Sequence, residues 1–178
     1  MAFLVRKINK RNKLSSLCDE ANIEDIWADV PTNEFKTQEG ALSTWIIPSL
    51  EKLEDAVLAI AVSSSNITRM DFIIIDTKLL DNNDLEYKAT YAGQEIAIPD
   101  LQDTHYDIFN VSLKKLTNCV RVYKTIFDGE SEDEERYIIR FSEVEIKDLL
   151  KKAIDQNRVD VEKATGKIKQ IILQFQAA

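Results

Sequence analysis

The apolar positions of this chain fall into short runs of two kinds, one continuous or alternating and one recurring every three to four residues. Phe3-Leu4-Val5, followed by Ile8, predicts a short strand. Residues 18–40 hold no steady period and carry Pro31 and Gly40, so they are expected to be irregular. Leu42 to Ile47 alternates poorly but is rich in strand formers: Thr44, Trp45, Ile46 and Ile47. Pro48 and Ser49 then open a helix, with Ser49 as its expected cap and Glu51 and Glu54 suited to the positive helix start. From Ala56 to Val62 that helix is apolar on every side, which predicts burial around most of its circumference. Phe72-Ile73-Ile74-Ile75, between Asp71 and Asp76, reads as a strand covered on both faces. The helix between is then a crossover, giving a β-α-β unit over 42–47, 50–63 and 71–76.

Further along, Asp81-Asn82-Asn83-Asp84 reads as a turn, Leu85 to Tyr91 as a strand and Glu95 to Ile98 as another. Leu113, Leu116, Val120, Tyr123 and Phe127 form one stripe, predicting a helix over 113–127 that ends at Gly129 and faces the core along that stripe. Tyr137 to Phe141 is a strand. Ser142 with Glu145 predicts a capping box for a helix buried through Ile146, Leu149, Leu150, Ala153 and Ile154. A last helix carries Ala164, Ile168, Ile171, Ile172 and Phe175, and the short polar link before it suggests an antiparallel helical hairpin over 143–176. The expected fold is α/β or α+β, with one mixed domain over 1–178 and a central sheet of about four to six strands packed by helices. A basic N-terminal strand or arm (1–17) and the C-terminal hairpin complete it.

Composition narrows the class. At 178 residues, 44% of them hydrophobic, the chain can build a core without disulfides or metals. No run approaches the roughly 20 apolar residues of a membrane span, and the opening residues lack the charge order of a signal peptide, so a cytoplasmic protein is expected. The net charge of −8 disfavours general nucleic-acid binding, leaving only the basic N-terminal arm for such a contact. Charge is segregated: Arg6, Lys7, Lys10, Arg11 and Lys13 stand near the start without an acid. Asp128, Glu130, Glu132, Asp133, Glu134 and Glu135 stand together without a base.

Candidate chemistry is sparse. There is no Gly-rich phosphate loop, no Cys-x-x-Cys and a single histidine, His105. His105 lies among Asp103, Thr104, Tyr106 and Asp107, where a carboxylate could orient it as a general base, but no Gly-x-Ser-x-Gly supplies a nucleophile. A zinc site would need His105, Cys18 and Cys119 to converge with a fourth ligand. Asp76 with Glu86 and Lys88 matches the Asp…Glu-x-Lys pattern of metal-dependent nucleases, in which carboxylates hold Mg²⁺ and the lysine activates water. Acid-x-Lys also occurs at Asp76/Lys78, Glu34/Lys36 and Glu145/Lys147, close to chance frequency. Trp45 is expected in the core, and Trp27 is the better anchor for a partner.

These features favour a non-catalytic accessory or adaptor subunit that docks to a larger protein, through Arg6, Lys7, Lys10, Arg11 and Trp27, without a cofactor or a metal. The Ile-, Lys- and Asn-rich composition points to a bacterial setting of the phage-defence or mobile-element kind. The alternatives are a divergent Mg²⁺-dependent nuclease using Asp76, Glu86 and Lys88, and an acidic inhibitor or immunity protein acting through 128–135.

Overall fold

The computed structural model describes residues 2–8, 22–26, 29–129 and 137–177. Lys10, Arg11, Lys13, Cys18, Trp27 and most of the acidic run lie outside them. Strands β1 (Phe3–Ile8), β2 (Leu42–Ile47), β3 (Met70–Asp76), β4 (Glu86–Ala89), β5 (His105–Phe109) and β6 (Ile138–Phe141) form one sheet in the order β4-β5-β2-β1-β3-β6. Every neighbouring pair is antiparallel. The helices are α1 (Asp29–Glu34), α2 (Leu53–Val62), α3 (Thr77–Asn82), α4 (Leu113–Phe127), α5 (Glu143–Asp155) and α6 (Gly166–Gln176). The fold is thus mixed α/β, as the pattern predicts. The β2-α2-β3 crossover is present, with one addition: β1 is inserted between β2 and β3 and pairs with both.

Alternation along β1 explains the two cores. Phe3 and Val5 join Trp45, Ile47, Phe72 and Ile74 on one face, which α2, α5 and α6 cover. Leu4 and Ile8 join Leu42, Ile73, Ile75 and Ile108 on the other, which α4 covers. The continuous run Phe72–Ile75 is fully buried because each face has its own layer of helix. All of Ala56–Val62 is buried, since α2 is wedged between the sheet and α5. Trp45 lies in the core.

Local signals set several boundaries. The Ser142 hydroxyl accepts from Glu145 N while the Glu145 carboxylate accepts from Ser142 N, the full capping box. Ser112 caps α4 through Lys115 N, and Gly129, at φ 71°, sits where the chain turns out of that helix. The C-terminal helices α5 and α6 pack on each other.

Four expectations need correction. Ser49 makes no side-chain cap; a 3-10 turn over Leu50–Lys52 leads into α2 instead. Residues 95–98 are not a strand: Ile96 N donates to the Gln102 side chain and Ala97 O accepts from Asp160 N, so this buried segment satisfies its backbone outside any ladder. The stretch 81–84 begins as the end of α3 and only then turns. Within 18–40, Asp29–Glu34 is the short helix α1, which tolerates Pro31 because it falls in the first turn, where no backbone N–H is required.

The stripe of α4 is also rotated from its expected position. Cys119, Val120, Val122, Tyr123 and Ile126 are buried, Leu116 is half-buried, and Leu113 is 87% exposed. Burial pushes the Cys119 thiol up to about 12 and raises the Tyr123 hydroxyl as well. The native state therefore keeps protons that the unfolded chain gives up. The resulting stability is complete below pH about 9 and is lost as pH rises toward about 12. The urea midpoint is expected to fall from pH 8 to pH 10.5, and less steeply in Cys119→Ala. An equal slope in both proteins would exclude this thiol as a source.

Candidate functional site

Asp76 and the pair Glu86 and Lys88 do not meet. Asp76 ends β3 and caps α3, its carboxylate accepting from Lys78 N at 2.9 Å. Glu86 and Lys88 lie on β4, with β5, β2 and β1 between. At about 4.8 Å per strand, four steps separate them by roughly 19 Å, too far for shared Mg²⁺ ligation. Glu86 instead pairs with Lys115 at 2.6 Å, and the Lys88 ammonium stands 4.4 Å from the centre of the Phe109 ring. No cluster of three potential metal ligands occurs among the described residues. His105 and Cys119 also lie apart: His105 meets Trp45 edge to face at the α2 face, whereas Cys119 is buried on the inner side of α4, on the other face of the sheet.

His105 opens β5 and is buried, and its ring meets two hydroxyls. Nε2 is 2.7 Å from Ser43 Oγ, and Nδ1 is 3.0 Å from Thr90 Oγ1 and 3.3 Å from Thr90 O. A carbonyl only accepts, so we assign the proton to Nδ1 and let Nε2 accept from Ser43. Asp107 stands 4.0 Å from the same Nε2 rather than beyond Nδ1. This joins an exposed hydroxyl to a base, which the local sequence concealed because Ser43 is 62 residues away. The pair lies on the adjacent strands β2 and β5. Its evident work is to pin β5 to β2 and to the segment after β4.

Of the basic residues near the start, Arg6 and Lys7 are described, and they belong to β1. Adjacent strand positions point to opposite faces, so the two cannot form one patch. Arg6 lies on the α4 side with a side chain 13% exposed. Its Nη1 donates to Ser43 O at 2.8 Å and its Nη2 to Glu34 O at 3.0 Å, while Nε faces the buried Glu34 carboxylate at 3.7 Å. Arg6 is thus engaged within the fold. At the other charged segment, Asp128 pairs with Lys124 at 2.7 Å.

A basic surface that the apolar period does not predict is the outer side of α4. This helix carries Lys114, Lys115, Arg121 and Lys124 and no acidic residue, in a chain of net charge −8. Lys114 and Lys115 occupy the first turn, where the helix dipole disfavours cations. Lys115 is compensated by Glu86, whose hydrogen bond raises its pKa. Lys114 and Arg121 are exposed. The sequence carries this signal as a run of fifteen residues without Asp or Glu, whereas the apolar period of the same run describes only its inward side.

Among the described residues no helix is long and apolar enough to cross a membrane. Comparison with protein-family models, with curated proteins and with solved structures finds no match for this chain.

Proposed function

We propose that this protein works by docking to a larger protein, as a non-catalytic accessory subunit of a bacterial assembly of the phage-defence or mobile-element kind. The observation that carries the reading is the pair of exposed cations, Lys114 and Arg121, on the outer side of α4, a helix without acidic residues in a chain of net charge −8. Such separation of sign steers association and selects orientation more than it adds affinity. The dispersal of Asp76, Glu86 and Lys88 across the sheet adds support, because it weakens the nuclease alternative.

The test begins with capture of partners by the full chain from its native host and continues with binding kinetics on the recovered partner. Association is expected to slow about tenfold or more between 50 mM and 500 mM salt, with a smaller change in dissociation. A monomer that recovers no partner would defeat the docking reading. A partner whose association ignores salt would retain docking and remove charge as its guide.

A further inference from the structure

We propose that the outer side of α4, from Leu113 to Lys124, receives an acidic segment of a partner protein, with carboxylates on Lys114 and Arg121 and an apolar recess over Leu113. The inference rests on the docking function above and names its surface and the chemistry of its partner.

The geometry supplies three elements. Leu113, Lys114, Thr117 and Arg121 succeed one another at helical spacing along the side of α4 turned away from Cys119, Val122 and Ile126, and Lys124 closes the stripe, paired with Asp128. From Leu113 to Lys124 the stripe is about 16 Å long at 1.5 Å per residue. Arg121 is oriented by Asn118, a buried side chain whose Oδ1 accepts from Nη1 at 2.8 Å. A neutral amide fixes the guanidinium without cancelling its charge, so less side-chain freedom is lost when a carboxylate arrives. Leu113, at the first helical position, contributes apolar surface that the fold leaves in water.

The charge balance selects the partner class. A polyanionic nucleic acid would meet a body of net charge −8 around two exposed cations. A short acidic protein segment can use those cations locally and give Leu113 an apolar pocket, the pairing expected of a buried anchor with a charged rim.

Photocrosslinking tests this with the full chain in its native host, using benzoylphenylalanine at position 117. The expected product joins position 117 to a protein peptide rich in Asp and Glu. Its yield should fall about tenfold in Lys114→Glu with Arg121→Glu, and also in Leu113→Asp. Lys114→Glu and Leu113→Asp should keep the melting temperature within about 2 °C, because both side chains are exposed, and Arg121→Gln, which keeps an amide donor beside Asn118, is the control for the hydrogen bond that Arg121→Glu removes. The milder pair Lys114→Gln with Arg121→Gln should shift the yield in the same direction. A crosslink to nucleic acid, or to a peptide without acidic residues, overturns the proposal. If a captured partner crosslinks equally in every variant, docking stands and α4 is not its surface. If no partner is captured at all, docking itself fails.

Discussion

Arg6→Ala is expected to lower the unfolding free energy by about 3–5 kcal/mol, the usual cost of removing one member of a buried ion pair. The guanidinium lies on a central strand and reaches two carbonyls, Ser43 O on β2 and Glu34 O at the end of α1, while facing the Glu34 carboxylate. Its loss removes the Arg6 charge from beside Glu34, a carboxylate only 2% exposed. The paired change Arg6→Met with Glu34→Leu should recover most of the loss, since apolar residues of similar volume often replace such pairs at little cost. Urea unfolding of the three proteins checks both statements. A midpoint unchanged in Arg6→Ala would show that this contact contributes nothing. For the same reason Arg6 is unsuitable for neutralising a basic arm: the variant would weaken the fold before it reported on association.

Leu150→Ala should cost about 2–5 kcal/mol, the range for deleting a fully buried leucine and leaving a cavity. Leu150 is completely buried on α5, the helix that packs against both α2 and α6. A void there opens in the core that α2, α5 and α6 share on one face of the sheet. Val144→Ala on the same helix, where the side chain is 65% exposed, should stay within about 0.5 kcal/mol. Thermal unfolding distinguishes the two positions. Equal losses would mean that the burial of Leu150 does not hold α5, since alanine itself favours the helix at both positions.

What could be read from the sequence was local. Ser142 and Glu145 lie three residues apart, so their reciprocal cap was visible before any tertiary information. Phe72–Ile75 announced double burial by its unbroken apolar run. The features that escaped depend on distant partners or on the inverse of a pattern. Arg6 looked like one of several free cations because Glu34 and Ser43 come 28 and 37 residues later. Ser43 and His105 become neighbours only through strand pairing. Leu113 fits the apolar spacing of its helix, yet the buried stripe centres on Cys119, Val122, Tyr123 and Ile126, which turns Leu113 outward. The strand expected over 95–98 failed because three buried apolar residues in succession can line a loop when side chains satisfy the backbone.

The central place of β1 has a consequence for chain assembly. The other strands fall into two ladders, β4-β5-β2 on one side and β3-β6 on the other, and six residues near the start of the chain join them. Without Phe3–Ile8 the sheet would hold a slot one strand wide, about 10 Å between β2 and β3 at ordinary strand spacing, lined by unsatisfied N–H and C=O groups. That slot has the width, polarity and alternating pockets to accept an extended peptide in trans, as in donor-strand complementation. A synthetic peptide containing Phe3–Ile8 is therefore the natural reagent for splitting this protein in two and restoring it by mixing.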